Sequence, residues 1–122
     1  MTSVVFRADA TAAIGGGHVM RCLTLADQLK DEGWDWSFSC SPETREIVPL
    51  LDKSSYRILD CSGNMLEKAD WAVIDHYGLD VEYEKNYRSH AANILILDDM
   101  PTRQHDCDIL IDQNLGRTRE EY

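Results

Sequence analysis

Trp71-Ala72-Val73-Ile74-Asp75-His76-Tyr77-Gly78 is the stretch on which the fold of this sequence turns. Four apolar residues follow one another without in-and-out alternation, the pattern of a strand buried on both faces, and such strands belong to parallel sheets sandwiched by helices. Ile94-Leu95-Ile96-Leu97 repeats it. Each run passes directly into polar residues, Asp75-His76-Tyr77-Gly78 in one case and Asp98-Asp99-Met100-Pro101 in the other. In an open parallel sheet, ligands sit beyond the carboxyl ends of the strands, so these loops are where chemistry is expected.

Working outward, Ser3 to Arg7 reads as a strand, Asp9 to Gly17 as a loop, and His18 to about Glu32 as a helix. Within that helix Val19, Cys22, Leu23, Ala26 and Leu29 recur at three- and four-residue steps on one face. Gly33 ends it, as a glycine just past a helix commonly does. Asp35 to Cys40 is a second strand, Pro42 to Lys53 a helix with Ser41 as its cap, and Tyr56 to Leu59 a third strand. Trp71 to Asp75 and Ile94 to Leu97 flank a helix from about Val81 to His90, and Ile109 to Ile111 is a short sixth strand. Strand and helix alternate throughout, so the fold class is α/β: a doubly wound, Rossmann-like parallel sheet with helices on both faces.

The 122 residues suit one domain with one core, placed here at 1–112, followed by a polar tail from Gln113 to Tyr122 that reads as a chain continuing into a larger protein. With 43% hydrophobic and 28% charged residues, the composition is that of a soluble globular protein. No apolar run approaches the roughly 20 residues that span a bilayer, and no basic-then-apolar leader opens the chain; no membrane partner and a cytoplasmic location are expected. The net charge of −10, from 22 acidic against 12 basic residues, repels polyanions and argues against nucleic acid. A small phosphorylated ligand remains compatible, though another domain would hold it better. Cys22, Cys40, Cys61 and Cys107 form no C-x-x-C pair and read as reduced, mostly buried thiols.

Three strand-end loops carry candidate chemistry. In the first, Gly15, Gly16 and Gly17 lead into the helix, where the backbone can turn sharply and offer its N–H groups to a ligand. It is not a dinucleotide fingerprint, because Met20 stands where a third glycine would, and not a phosphate loop, because no Gly-Lys-Ser/Thr follows. What remains is a glycine loop presenting His18. The positive end of the helix favours an uncharged ring able to accept a proton, and a capping histidine without chemistry is the competing reading. Arg21, one turn on, could orient a substrate or pair with an acid such as Asp9. In the second loop Asp75, His76 and Tyr77 can all exchange hydrogen bonds with sugar hydroxyls or water. In the third, Asp98 and Asp99 suggest hydroxyl recognition; one carboxylate pair is weak support for a metal, and no cofactor or metal is expected. There is no G-x-S-x-G elbow and no H-E-x-x-H motif.

The run Arg7-Ala-Asp9-Ala-Thr-Ala-Ala-Ile14-Gly15-Gly-Gly17-His18-Val-Met-Arg21-Cys22-Leu-Thr-Leu25-Ala26, with Ile74 to Gly78, Leu97-Asp98-Asp99 and Cys107 to Asn114, resembles the PseG family. Its members are UDP-2,4-diacetamido-2,4,6-trideoxy-β-L-altropyranose hydrolases of pseudaminic acid biosynthesis. Four separated motifs occur in order, and the resemblance covers essentially the whole chain. It implies the first half of a two-domain GT-B fold similar to MurG, with the active site in the cleft between the halves. The missing C-terminal domain would supply most contacts to uridine and diphosphate, and a UDP-sugar would be the substrate. The resemblance makes His18 the catalytic base and places Tyr77 against the sugar. Asp9, Gly15, Gly16, Gly17, Arg21, Asp75, His76 and Asp99 complete the expected substrate site.

The expected reaction is attack of a water on the anomeric carbon, with inversion and loss of UDP. An isolated half is expected to be inactive. A glycosyltransferase of the spore-coat polysaccharide type would use the same cleft with a sugar hydroxyl in place of water, and a non-catalytic binding module is the alternative from another class; fold alone does not separate these.

Overall fold

A computed structural model describes residues 2–13, 15–53, 57–60, 68–99, 104–112, 114, 116, 118 and 120. Six strands, β1 (Ser3–Ala8), β2 (Asp35–Cys40), β3 (Arg57–Asp60), β4 (Ala69–Asp75), β5 (Ala91–Leu97) and β6 (Ile109–Ile111), form one sheet in the order β3-β2-β1-β4-β5-β6. Every pairing is parallel. The α/β, doubly wound reading therefore holds, and the sequence order reverses between β1 and β4.

The continuous apolar strands are explained by two separate cores. Alternate residues of β1 point to opposite faces: Val4, Phe6 and Ala8 pack with Val19, Cys22, Leu23 and Ala26 of α1 (Gly17–Asp31), while Val5 packs with Ala72, Ile74, Ile94 and Ile96. Tyr87 of α4 (Val81–Tyr87) closes the second core. Trp36, Phe6 and Phe38 fill the first with a stacked Phe6–Phe38 pair at 5.2 Å and edge-on contacts from Trp36. Burial at this level typically gives about 1.5–3 kcal/mol per large side chain.

The sequence misplaced some boundaries for identifiable reasons. The helix read from Pro42 to Lys53 is two, α2 (Pro42–Ile47) and α3 (Leu50–Lys53). Pro49 has no N–H to continue the ladder and drives Val48 out of the helical region, to φ −121° and ψ 79°. Ser41 does occupy the N-cap, but its hydroxyl meets Thr44 Oγ1 at 2.8 Å instead of capping a backbone N–H. α4 stops at Tyr87, short of His90, whereas its start is capped by Asp80 accepting from the Tyr83 N–H at 3.1 Å. β5 begins at Ala91 and β4 at Ala69, each earlier than expected. Gly33 follows α1 at φ 88°. Tyr56, Cys61, Met100, Pro101 and much of the tail from Gln113 to Tyr122 lie outside the described residues. Cys22, Cys40 and Cys107 are free thiols, the first two buried. Among the described residues no helix is long and apolar enough to cross a membrane.

Candidate active site

From the centre of the sheet, β1 leads through α1 to β2 on one side and β4 leads through α4 to β5 on the other. Connections diverging in this way leave a crevice beyond the carboxyl ends of the two strands. The residues singled out in the sequence gather there in two clusters.

Asp75, the last residue of β4, organises the first cluster. It is fully buried, with Oδ1 on His18 Nδ1 and Oδ2 on Arg21 Nε. A second arginine nitrogen, Nη2, donates to Oδ1 at 2.6 Å, and Cys22 Sγ lies 3.7 Å from Oδ2. His18, Arg21 and Cys22 stand at i, i+3 and i+4 of α1, the spacing that stacks side chains on one helix face. One helix face is thus matched to one carboxylate. The hydrogen bonds to Asp75 hold the Arg21 guanidinium above its ordinary range, against the opposing effect of burial. Burial pushes the Cys22 thiol well up, and the neighbouring Asp75 charge adds to it, so it is not poised as a nucleophile.

The Asp75 contact also settles the imidazole. With Nδ1 against a carboxylate oxygen, the fitting neutral tautomer carries its hydrogen there and leaves the Nε2 lone pair as proton acceptor. The His18 side chain is only 10% exposed. Tyr77 meets it edge-on, with ring centroids 4.6 Å apart at 86°. Tyr77 itself is 42% exposed and donates its hydroxyl to Asp99 Oδ1. That hydrogen bond, with burial second, pushes the phenol up to about 12.

Asp9 organises the second cluster. Arg7 grips it with two nitrogens at 2.8 and 3.0 Å, the Ser41 N–H donates at 2.7 Å, and His76 Nε2 lies at 2.9 Å. Burial alone would raise this carboxyl; the bonds from His76, Arg7 and Ser41 overcome it and hold the group well below the usual carboxylate range. His76 has its other nitrogen, Nδ1, as acceptor for the Gly78 N–H at 2.8 Å. The ring is therefore a neutral Nε2–H tautomer that ties the Tyr77–Gly78 turn to the end of β1. A side chain at position 78 would collide, since a Cβ there would lie 2.9 Å from His76 Cε1.

The structure thus brings His18, Arg21, Asp75, Tyr77 and Asp99 together, and separately Asp9 and His76. Arg21 pairs with Asp75, not with Asp9, whose arginine is Arg7. Asp9 and Asp75 are enclosed and bonded on both oxygens, so they hold neighbouring side chains instead of facing the crevice. Asp98 and Asp99, adjacent in sequence, diverge: Asp99 meets Tyr77, and Asp98 turns inward to His105. The glycine loop closes with the Gly15 N–H on the Thr11 carbonyl at 2.7 Å and Gly15 at φ 72°, and Gly16 caps α1. Sequence reasoning quoted Arg7 in the first motif without giving it a role, and did not single out His105. Asp75 was singled out as a substrate-site residue, but its role as the carboxylate shared by His18 and Arg21 was not read from the sequence.

No family model matches the chain. An alignment of 126 residues covering 98% of the chain gives 32% identity to the UDP-2,4-diacetamido-2,4,6-trideoxy-beta-L-altropyranose hydrolase of Campylobacter jejuni and spans 44% of that protein. The chain is thus similar, over nearly all of its length, to part of a PseG hydrolase. The uncharacterized protein MJ1062 of Methanocaldococcus jannaschii is 23% identical over 116 residues, 88% of the chain and 24% of that protein. The chain spans less than half the length of either relative. The PseG relationship agrees with the motif resemblance, and the parallel sheet fits the first half of a GT-B fold.

Proposed function

We propose that this chain is one half of a nucleotide-sugar hydrolase in which His18 activates the water that cleaves a UDP-linked 2,4-diacetamido-2,4,6-trideoxy sugar. The observation that carries the reading is the Asp75–His18 pair at the end of β4, with Tyr77 against the same imidazole. The similarity to the Campylobacter hydrolase supplies the substrate class.

In the proposed step His18 Nε2 takes a proton from water as the water oxygen bonds to the anomeric carbon. The bond from that carbon to the nucleotide oxygen breaks with its electron pair, UDP departs, and the centre inverts. Asp75 faces the imidazolium so formed and stabilises it through Nδ1–H. A diphosphate is already a good leaving group, so one base with correct positioning suffices without a strong general acid. Tyr77 and Asp99 offer polar groups beside the ring to the sugar, and the backbone of Gly15, Gly16 and Gly17 lines the approach. Asp9, His76 and Arg21 hold this frame. A second nucleotide-binding domain, borne by a longer polypeptide, would bind the UDP portion, and the 122-residue half alone would be inactive.

The test is release of free sugar and UDP by the full-length protein with the UDP-sugar and no acceptor. Free sugar is the expected product; a requirement for an acceptor hydroxyl would favour the glycosyltransferase reading. His18→Ala should lower turnover by about 10² to 10⁴, with UDP binding little changed. Unchanged turnover would overturn the assignment of His18.

A further inference from the structure

Behind the candidate site lies a buried row of ionisable groups that the proposed reaction does not use. His105 Nδ1 is 2.8 Å from Glu84 Oε2, and its Nε2 is 2.7 Å from Asp98 Oδ2; the three side chains are 3%, 1% and 0% exposed. The second oxygen of Glu84 accepts the Asp106 N–H at 2.7 Å. Around the row, Arg88 bridges Asp106 at 3.0 Å and Asp108 at 2.7 Å, while Asp108 also accepts the Ile94 N–H at 2.8 Å. His105, Asp106 and Asp108 are therefore tied to α4 and the β5 strand by directed polar bonds.

Such a cluster is poorly explained by stability. Enclosing ionisable side chains costs several kcal/mol of desolvation each, and apolar groups of the same shape commonly serve as well or better. What directed bonds provide is a fixed geometry. Glu84 lies on α4, the helix entered directly from the Tyr77–Gly78 turn through Leu79 and its cap Asp80. Asp98 is the neighbour of Asp99, whose carboxylate receives the Tyr77 hydroxyl. His105 spans these two supports. One imidazole thus joins the helix that follows the Tyr77–Gly78 turn to the residue preceding Asp99.

We propose that His105 is a positioning residue: by bridging Glu84 and Asp98 it sets Asp99 against Tyr77 and so holds the tyrosine ring edge-on to His18. Its effect on turnover rests on the hydrolase reading above; its effect on Tyr77 does not. Without the bridge, Asp98 and Glu84 lose their common partner, the Tyr77–Asp99 bond lengthens, and the tyrosine no longer braces the base.

The experiment follows tyrosines labelled with ¹³C at Cζ in the 122-residue chain, with Tyr77→Phe assigning the resonance. In the unaltered chain Tyr77 should titrate above the ordinary tyrosine value, at about 12, because its hydroxyl donates to Asp99. In His105→Phe it should titrate close to the ordinary value of about 10, as it should in Asp99→Asn. In the full-length protein His105→Phe should lower kcat by about tenfold or more and leave KM within about threefold. Glu84→Gln, which keeps the shape of the side chain, should move both readings in the same direction and carries the test if His105→Phe does not fold. A Tyr77 titration unchanged in a folded variant overturns the proposal. No release of free sugar by the full-length protein, together with a released Tyr77 in His105→Phe, would refute the hydrolase reading and support the positioning role.

Discussion

Asp75 and His18, 57 residues apart in sequence, are joined through Oδ1 and Nδ1 at the carboxyl end of β4. The bond determines which imidazole nitrogen is left to accept a proton, so the geometry of one strand end fixes the protonation pattern of one helix residue. Asp75→Asn keeps the shape but presents an amide that cannot accept from His18 and both arginine nitrogens at once. The ring is then free to turn to the wrong tautomer. Turnover of the full-length protein should fall by about 10²-fold or more, with UDP affinity preserved. Asp75→Ala should in addition strand Arg21, whose side chain is 24% exposed. That partial exposure keeps the loss at or below the low end of the roughly 3–5 kcal/mol typical of a broken buried pair. Steady-state kinetics and urea unfolding of the two variants separate these effects, and wild-type turnover in Asp75→Asn would remove the tautomer argument.

Asp9 makes a different prediction, about acid. Its carboxyl is depressed in the folded chain because hydrogen bonds from His76, Arg7 and the Ser41 N–H outweigh burial. A group with a lowered folded value stabilises the fold above its unfolded value, about 3.9, and that contribution is lost as pH falls from there toward the folded value. Asp9→Asn, which cannot ionise, should be less stable than wild type by about 3 kcal/mol at pH 7. The gap should hold down to about pH 4 and narrow below it. Urea midpoints measured at pH 7, 4 and 2.5 decide this. A gap that stays constant to pH 2.5 would show that the stability comes from shape and not from charge.

Much of the frame is legible in the sequence because burial leaves a periodic mark. The two faces of the sheet demand continuous apolar runs, and Trp71 to Ile74 and Ile94 to Leu97 supply them; the single apolar face of α1 is equally plain. Partner choice leaves no such mark. Arg7 and Arg21 each stand near candidate acids along the chain, and only the approach of α1 to the end of β4 gives Arg21 to Asp75 and leaves Arg7 to Asp9. His105 was illegible for a related reason. It lies in an aperiodic segment, and both of its partners, Glu84 and Asp98, come from elements 21 and 7 residues away.

The glycine loop offers a test in which two neighbouring substitutions should move in opposite directions. Gly15 sits at φ 72°, with its N–H on the Thr11 carbonyl at 2.7 Å. Alanine there meets no atom within 4 Å, so the cost is backbone strain alone, about 1–2 kcal/mol. Gly17 is the first residue of α1 and also has open space around its missing Cβ. Alanine at that position should leave stability unchanged or raise it by up to about 1 kcal/mol, since a helix prefers it to glycine. Thermal unfolding of Gly15→Ala and Gly17→Ala should therefore shift down and level or up, respectively. Gly15→Ala should also depress turnover in the full-length protein, because relieving the strain re-aims the start of α1 and with it His18. Equal shifts in both melts would mean that the loop needs glycine for room and not for its backbone conformation, and the open space around Gly15 argues against that.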